Sequence, residues 1–376
     1  MKIAIVHDFL TQSGGAERVV EAFHRIWPEA PIYTSVYDPK GTFPSFAQMD
    51  VRTSFLQRVP FAATNRHHKK FLTLFPMAFE MLDLRGYDVV ISNNTSFAKG
   101  VITYPETCHI SYCHTPMRFA WRYAEYVEQG SFGGFERSVM PFVIHRLRAW
   151  DWQAAQRVDY FLGNSHNIVR RIQKFYGRTA DVLYPPVDTS RFQPTNNPDS
   201  DYLLVVSRFL SYKRVDLAVE AATRLGMRLK VVGSGPDEAR LRALAGPTVE
   251  FLGKLPDGQV ESLFANCSAF LFPGEEDFGI APVEAMAAGR PVIAYRAGGA
   301  METVAEGLSG LFFDEPTVES LMGAIRRLDT LSVDAQRIRA HAETFGHDRF
   351  RERLQHLVAR YMADYRSRHG GFARKP

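Results

Sequence analysis

Short apolar, β-branched runs alternate with longer amphipathic stretches along the whole chain, and one Pro-rich break divides this alternation into two halves. Such alternation is typical of βαβ units, in which helices cover the faces of a parallel sheet. The break lies at residues 183–201, where Pro and turn-forming residues disfavour both helix and strand. The predicted fold class is therefore α/β, with two consecutive doubly wound domains.

The two halves predict four parts of the chain: residues 1–185 as an N-terminal domain, 186–200 as a linker, 201–345 as a second domain, and 346–376 as a C-terminal helix with a basic tail. Open α/β sheets bind ligands at the carboxyl ends of their strands. We therefore expect an active site in a cleft between the domains. Spacing alone leaves open whether the last helix returns to the first domain.

The same pattern places the individual elements. In the first half we predict helices from Gly15 and from His166, and strands at 2–7, 31–37, 88–93, 109–114 and 160–165. In the second half we predict strands at 202–208, 228–234, 249–254, 269–274 and 291–296. Helices are expected near 214–225, 236–245, 258–266, 282–289 and 347–368.

Composition excludes several classes of protein. With 45% hydrophobic and 23% charged residues, the 376-residue chain is neither disordered nor fibrous. No eighteen apolar residues run together, and the first residues lack the features of a signal peptide. Three cysteines, Cys108, Cys113 and Cys267, are too few for a disulfide framework. We expect a cytoplasmic protein.

The stretch CHISYCH, residues 108–114, is a candidate metal site because it holds two Cys and two His. The surrounding residues predict a strand, in which Cys108 and Cys113 point to opposite faces. His109 and Cys113 share a face, but about 3.3 Å per residue separates them by roughly 13 Å. That distance is too long for one ion, so we expect no metal here.

The stretch 273–292, PGEEDFGIAPVEAMAAGRPV, predicts an anion site. A strand ends, an acidic loop follows, and Pro282 opens a short helix. Backbone amides just ahead of a helix N-terminus favour an anion such as a diphosphate; here they belong to Phe278, Gly279 and Ile280. Glu276 in the loop and Glu284 on the first helical turn are placed to accept hydroxyl groups of a sugar and a ribose.

Two cations follow the first strand of the second half. The stretch SRFLSYKRVD, residues 207–216, delivers Arg208 at the strand end and Lys213 before the next helix. Fixed cations beside a diphosphate stabilise the charge that develops as it leaves, and each contact is worth roughly 1.5 to 3 kcal/mol. Together with the two glutamates, they predict a site that transfers a group from a diphosphate.

These residues resemble a known family. The Glu-x7-Glu pair and the following Ala-Met-Ala-Ala-Gly-Arg-Pro-Val are similar to the signature of glycosyltransferase family 4, retaining enzymes of GT-B architecture with two Rossmann-like domains. SRFLSYKRVD, the Gly233-Ser234-Gly235-Pro236 turn and the opening HDFLTQSGGAERV are also similar. The resemblance covers nearly the whole chain and is most specific at residues 202–313.

The resemblance implies a role for each matching residue of the second domain. Arg208 and Lys213 would bind the donor diphosphate, Glu284 the ribose, and Glu276 a hydroxyl of the donor sugar. Glu276, Arg208 and Lys213 would act in catalysis. The amides of residues 278–280 would complete the cradle around the diphosphate.

The resemblance also implies roles for residues of the first domain. Gly14 and Gly15 would let the backbone approach phosphate and acceptor, since glycine has no Cβ. His114, in YCHTPMRFAW, would face the donor sugar as a catalytic residue. Ser165 would contact the diphosphate, and Asp8 would lie with Gly15 on the acceptor side.

The HTPMRFAW stretch and the opening motif resemble bacterial family members that transfer mannose from GDP-mannose in O-antigen or exopolysaccharide assembly. This resemblance implies an α-mannosyltransferase that needs no metal or other cofactor. A UDP-hexose donor remains an alternative. The acceptor would be a saccharide, free or linked to polyprenyl diphosphate.

Three other functions differ from this prediction in the residues that they require. A nicotinamide-dependent oxidoreductase would need a third glycine where VGSGPDEA has Glu238. A binding module without catalysis would keep the same charged residues. A metal-dependent GT-A transferase would need its acidic motif after a strand, whereas Asp199-Ser200-Asp201 precedes one.

Basic charge is concentrated in two segments. Residues 51–79 hold five Lys or Arg, no acid and several Phe, and residues 347–376 hold eight Lys or Arg against three acids. Since the whole chain carries only +4, the remainder is acidic. This distribution predicts peripheral contact with an anionic membrane surface, on the inner face of the cell membrane, rather than nucleic-acid binding. For 51–79, a solvated face with its Phe residues in the core is the alternative.

Overall fold

The structure is a computed structural model that describes residues 1–59, 71–123, 134–195 and 201–370, with the backbone alone for 134–138. It forms two compact units. The first unit comprises Met1–Pro185 and the segment that begins at Phe350, and the second unit comprises Pro186–Arg349. Each contains one parallel sheet and the helices that connect its strands. The predicted α/β class with two Rossmann-like domains is confirmed.

Seven parallel strands form the sheet of the first unit, in the order β3-β2-β1-β4-β5-β6-β7. The strands are β1 Ile3–His7, β2 Ile32–Thr34, β3 Val51–Thr53, β4 Val89–Asn94, β5 Cys108–Cys113, β6 Tyr160–Gly163 and β7 Ala180–Val182. Strand order reverses between β1 and β4, where His7 lies opposite Asn93. Such a switch point is where sheets of this kind bind ligands.

The helices of the first unit include α1 Gly15–Ile26, α2 Phe75–Glu80, α3 Arg118–Trp121, α4 Gly134–Arg157 and α5 His166–Tyr176. Short 3₁₀ helices lie at Pro44–Gln48, Phe55–Arg58 and Ala98–Gly100. The two helices predicted from Gly15 and His166 are confirmed. Their apolar residues recur at helical spacing and are buried, as with Val19, Val20 and Phe23 of α1.

Six parallel strands form the sheet of the second unit, in the order β10-β9-β8-β11-β12-β13, so its switch point lies between β8 and β11. The strands are β8 Tyr202–Val206, β9 Arg228–Val232, β10 Val249–Gly253, β11 Ala269–Phe272, β12 Val292–Tyr295 and β13 Gly310–Phe313. The helices are α6 Val215–Leu225, α7 Glu238–Leu244, α8 Asp257–Asn266, α9 Ile280–Ala287, α10 Ala300–Thr303, α11 Val318–Arg326 and α12 Ala335–Glu343, with 3₁₀ helices at Thr189–Arg191, Ser211–Lys213 and Leu328–Thr330.

The last helix, α13 His347–His369, packs on the first unit. Its Phe350 ring stacks on Phe23 of α1, with centroids 5.8 Å apart, and Tyr361 stacks on Tyr160 at 4.3 Å. These aromatic contacts lie in the same apolar cluster as the core of the sheet. The chain therefore returns to its first half, which spacing had left open.

Part of the predicted linker belongs to the second unit. The backbone N–H of Val187 donates to the carbonyl of Phe345, 3.0 Å away, and the Phe192 side chain is buried. Residues 196–200 of the linker lie outside the described residues. Strands β3, β7 and β13 were not among the predicted strands.

Two aromatic residues of the basic segment 51–79 do not face a membrane as the docking prediction requires. Phe75 and Phe79 are buried in the core of the first unit, so the alternative prediction is correct for them. Arg58 is exposed. Residues 60–70 of this segment and 371–376 of the basic tail lie outside the described residues. None of the described helices combines the length and apolar character that crossing a bilayer requires.

Candidate active site

At the switch point of the first unit, four polar side chains lie in contact one after another: Glu17, His7, Asn93 and His114. His114 Nε2 lies 2.8 Å from Asn93 Oδ1, and Asn93 Nδ2 lies 3.0 Å from His7 Nδ1. His7 Nε2 lies 3.4 Å from Glu17 Oε1. His7 ends β1, Asn93 is the last residue but one of the neighbouring β4, and His114 directly follows β5. The sheet thus places the predicted His114 beside residues that the sequence did not single out.

His7 and Glu17 form a buried ion pair, with both side chains about 1% exposed. Burial lowers the pKa of His7, but the hydrogen bond and charge of Glu17, with the charge of Asp8, outweigh it and leave that pKa raised. Burial raises the pKa of Glu17, but His7 outweighs it and leaves that pKa lowered. Both shifts favour the charged forms, so the two opposite charges offset each other inside the unit.

Gly14 is required by a close approach rather than by its dihedral angles. It precedes α1 in an extended conformation, and Gly15 is the first residue of that helix. A Cβ at Gly14 would lie 2.9 Å from Glu17 Oε2. The glycine pair predicted to approach phosphate and acceptor therefore also leaves room for the carboxylate of Glu17.

Asp8 has a structural role that the sequence did not predict. Its buried carboxylate accepts hydrogen bonds from the backbone N–H groups of residues 95–98 at 2.6–2.9 Å, and from the Thr95 hydroxyl at 2.7 Å. Both oxygens are used in ordering the loop that follows β4. The acceptor-side role of Asp8 stays a prediction to which this geometry adds no support.

Ser165 is the N-cap of α5. Its hydroxyl oxygen accepts a hydrogen bond from the Ile168 N–H at 3.2 Å, and the residue is fully buried. A serine at this position stabilises a helix start by about 1 kcal/mol. The structure therefore accounts for Ser165 by capping, and its predicted contact with a diphosphate stays a prediction.

A second buried ion pair lies among the helices that follow β4, β5 and β6. Lys99 and Asp151 are both fully buried and bonded to each other. Asp151 also accepts from Trp121 Nε1 at 2.7 Å and from the Tyr176 hydroxyl at 2.8 Å. These residues lie on the 3₁₀ helix after β4 and on α3, α4 and α5, so one carboxylate holds together segments that follow three strands. Sequence gave no signal for this cluster, because its members are far apart in the chain.

At the switch point of the second unit, the predicted charged residues follow β8 and β11. Lys213 is bonded to Glu276, and their side chains are 13% and 25% exposed. Arg208, two residues beyond β8, is exposed. The structure thus brings Lys213 and Glu276 together, as a paired cation and carboxylate at the carboxyl edge of the sheet.

The loop that carries Glu276 leads into α9. Gly279 precedes the helix with a φ of +86°, and α9 begins at Ile280, two residues earlier than predicted. Glu284 therefore lies on the second turn of α9, not on the first, which corrects that expectation. The first amides of α9 follow Phe278, whose ring is buried 5.8 Å from that of Phe345. A helix start anchored in this way can hold an anion with little rearrangement.

Two glycines after β12, which were not among the predicted site residues, support this loop. The Gly299 N–H donates to the Glu276 carbonyl at 2.8 Å. A Cβ at Gly298 would lie 2.3 Å from the same carbonyl oxygen, and the φ of Gly298 is +59°. Glycine is needed there for both reasons. The Ala-Gly-Gly-Ala run at 297–300 was the available signal.

Two stretches, 108–114 and 199–201, were possible metal sites in the sequence. Within the described ranges, no three His, Cys, Asp or Glu side chains converge as metal ligands would. In the CHISYCH stretch, His109 Nε2 lies 2.9 Å from the Ser92 hydroxyl instead. Asp201 pairs with Arg228, and Asp199 and Ser200 lie outside the described residues.

Two family models match the chain. One, described as Glycosyltransferase Family 4, matches residues 13–191. The other, described as Glycosyl transferases group 1, matches residues 186–345. The matched ranges correspond to the first and second unit, and together they include every predicted site residue except Asp8.

Curated relatives carry transferase names. A D-inositol 3-phosphate glycosyltransferase of Acidothermus cellulolyticus is 30% identical over 56% of this chain and 55% of its own. A GDP-mannose-dependent alpha-mannosyltransferase of Mycolicibacterium smegmatis is 30% identical over 53% of this chain and 56% of its own. The chain thus spans about half the length of these relatives. The alpha-1,3/1,6-mannosyltransferase ALG2 of Dictyostelium discoideum is 23% identical over 93% and 94%.

Solved structures share the fold over nearly the full length. The crystal structure of Anabaena HepE in complex with UDP superposes with a TM-score of 0.69, covering 96% of this chain and 100% of that one. Sequence identity is 18%, so this likeness concerns the fold alone.

Proposed function

The chain belongs to glycosyltransferase family 4, and from that premise we propose that it is a retaining α-mannosyltransferase that uses GDP-mannose. One observation carries the assignment of a diphosphate-linked donor: Lys213 paired with Glu276 beside the start of α9, at the switch point of the second unit. A cation, a carboxylate and helix amides at one sheet edge suit a diphosphate and the hydroxyl groups of its sugar. The names of two relatives support mannose and, in one case, GDP.

In the proposed mechanism, the bond between the anomeric carbon and the diphosphate oxygen breaks as the acceptor hydroxyl forms the new bond from the same face. The acceptor proton passes to the leaving phosphate oxygen. Arg208, Lys213 and the amides of residues 278–280 stabilise the charge on the diphosphate. Glu276 binds a hydroxyl of the sugar, Glu284 the ribose, and His114 faces the sugar. Positioning and electrostatics supply the rate enhancement, without a protein nucleophile.

This proposal needs no metal ion, since the cations and amides beside the diphosphate already supply positive charge. The alternative to this proposal is a nicotinamide-dependent oxidoreductase. Titration with NADH, followed by fluorescence, tests that alternative. Tight NADH binding would contradict the proposal.

The test of the donor is a panel of GDP-mannose, GDP-glucose, UDP-glucose and UDP-galactose, with released nucleoside diphosphate as the readout. We expect release from GDP-mannose to exceed release from the others at least tenfold. Release from a UDP-hexose alone would show that the donor is a UDP-hexose and would leave the proposed class of reaction unchanged. No release from any donor, with an acceptor extract present, would favour a binding module instead.

For the acceptor, we propose a saccharide linked to polyprenyl diphosphate, reached by peripheral contact with the inner face of an anionic membrane in the cytoplasm. The exposed Arg58 and the basic tail support this contact, whereas the buried Phe75 and Phe79 do not contribute. Attraction between basic residues and anionic lipids weakens with salt. Cosedimentation with phosphatidylglycerol vesicles should therefore be strong at low salt and lost at high salt. No cosedimentation at low salt would remove this proposal.

A further inference from the structure

We propose that Asn93 is a positioning residue for His114, and that it fixes both the orientation of the His114 ring and the nitrogen that carries its proton. This inference rests on the proposed function for the catalytic role of His114. The structural part rests on the hydrogen bonds of Asn93 alone. Asn93 is the last residue but one of β4 and is fully buried, and His114 directly follows the neighbouring β5.

The orientation of the Asn93 amide follows from its surroundings. Its Nδ2 lies 2.9 Å from the backbone carbonyl of Ala16, near the start of α1. A carbonyl oxygen only accepts hydrogen bonds, so the group facing it is the amide NH₂. The amide oxygen then faces the other way, where Oδ1 lies 2.8 Å from His114 Nε2. The start of α1 thereby determines which atom Asn93 presents to His114.

This orientation selects one tautomer of His114. Because Asn93 Oδ1 only accepts, His114 Nε2 must carry the hydrogen. A neutral ring then has its lone pair on Nδ1. The edge contact with Tyr112, whose ring centroid lies 5.0 Å away at 79°, restricts the ring further. Tyr112 is itself held by a 3.0 Å hydrogen bond from its hydroxyl to the Leu183 carbonyl.

The buried pair of His7 and Glu17 holds Asn93 from its other side. His7 Nδ1 lies 3.1 Å from the Asn93 carbonyl oxygen, as well as close to its side-chain nitrogen. Glu17 Oε1 also accepts from Gln12 Nε2 at 3.2 Å. A charged His7 donates from Nδ1 to the Asn93 carbonyl, while the Asn93 side chain donates to Ala16 and accepts from His114. Asn93 is therefore held through both its main chain and its side chain, and a rotation of the amide would break its two buried side-chain hydrogen bonds.

Asn93 acts through His114 in this arrangement, so its substitution should have no effect where His114 is absent. A double-mutant cycle measures this directly. Asn93→Leu keeps the size of the side chain and removes the amide. We expect kcat for donor turnover to fall about 10- to 30-fold in the otherwise native chain, with KM for the donor changed less than twofold. In a His114→Ala background the same change should cost less than twofold.

Asn94→Leu is the matched control, one residue further along β4 on the opposite face. The Asn94 amide is buried and has no hydrogen-bond partner among the residues that the structure describes, so its replacement removes none of the described hydrogen bonds. We expect its kcat to stay within about twofold of the wild-type value. Equal losses in Asn93→Leu with and without His114 would overturn the proposal, as would a loss in Asn94→Leu as large as in Asn93→Leu.

A second measurement uses the wild-type protein and does not depend on activity or on the folding of a variant. Two-dimensional ¹H–¹⁵N correlation of the histidine rings, with His114 assigned by its absence in His114→Ala, identifies the protonated nitrogen. At a pH where the ring is neutral, we expect Nε2–H. An Nδ1–H tautomer would overturn the inference even in an active enzyme. Conversely, Nε2–H in a protein that releases no nucleotide would retain the inference and reject the proposed function.

Discussion

The two switch points hold their functional residues in different ways. At the switch point of the first unit, His7, Glu17 and Asn93 are buried and bonded to one another, and they hold His114 in place. At the switch point of the second unit, Arg208 is exposed, and Lys213 and Glu276 are partly exposed. The first edge is a closed polar network, whereas the second presents charges and a helix start.

This difference predicts a division of labour. A buried network is costly to disturb and fixes a geometry, which suits a residue that must meet a reacting atom in one orientation. Charges at this more open edge, beside helix amides, attract and hold an anion, and we expect their removal to cost the fold little. Substitutions at the switch point of the first unit should therefore change turnover and stability. Substitutions at the switch point of the second unit should change donor affinity and the stabilisation of the charge in the transition state.

The largest expected effect concerns the acid sensitivity of the first unit. Burial lowers the pKa of His109 to about 3, with the charges of Arg157 and Arg178 adding to the shift. A folded-state pKa below the ordinary 6.5 gives stability that is present above pH 6.5 and lost as pH falls toward 3. The loss should reach up to roughly 5 kcal/mol. His109→Gln should remove this component of the pH dependence.

Tryptophan fluorescence during urea unfolding measures the unfolding free energy of the first unit at each pH, because all four Trp residues (27, 121, 150 and 152) belong to that unit. Equal slopes of unfolding free energy against pH for wild type and His109→Gln would show that this histidine does not titrate on unfolding.

The second effect concerns the charges of the second unit. Lys213→Ala removes a cation beside the diphosphate, and we expect kcat/KM to fall about 100- to 1,000-fold, as for other transition-state charge contacts. Stability should change by less than about 1 kcal/mol, because the lost ion pair is partly exposed. Arg224→Ala is the matched control, an ion-paired cation on α6. A similar loss in both variants would point to a general charge effect.

The third effect joins the glycine pair to the buried network. Gly14→Ala would place a Cβ 2.9 Å from Glu17 Oε2, so the carboxylate must shift and disturb His7 and Asn93. We expect kcat to fall about tenfold, measured as nucleotide release at saturating donor. Gly258→Ala on α8 is the control, since a Cβ there meets nothing within 4 Å, and it should stabilise the protein slightly. Unchanged kcat in Gly14→Ala would show that Gly14 does not affect turnover through the buried network.

The smallest effect distinguishes capping from ligand contact. Ser165→Ala removes the N-cap of α5, which should cost about 1 kcal/mol of unfolding free energy and leave KM for the donor within twofold. Ser165→Asp retains a capping oxygen and should restore stability. A tenfold rise of KM in Ser165→Ala would instead support the predicted contact with the diphosphate.

The sequence predicted the second edge better than the first, for a physical reason. Arg208, Lys213, Glu276 and Glu284 lie in two local stretches that each follow one strand, so linear order already indicates proximity. Even there, the start of α9 was misplaced by two residues, because the positive φ of Gly279 rather than Pro282 determines it.

The network of the first unit depends on pairings between distant positions. His7 and Asn93 are 86 residues apart and meet only because β1 and β4 are neighbours in the sheet. The resemblance implied only an acceptor-side role for Asp8, and its hydrogen bonds to the loop after β4 join residues 87 to 90 positions apart. The return of α13 to the first unit was equally invisible, since an amphipathic helix does not specify which surface it covers.

The division of labour is tested most directly by the dissociation constant of the selected nucleoside diphosphate, measured by calorimetry for wild type, His114→Ala and Lys213→Ala. The account predicts that His114→Ala binds within twofold of wild type, while Lys213→Ala binds at least tenfold more weakly. Equal weakening in both variants would contradict it, because His114 would then bind the nucleotide rather than act on the sugar.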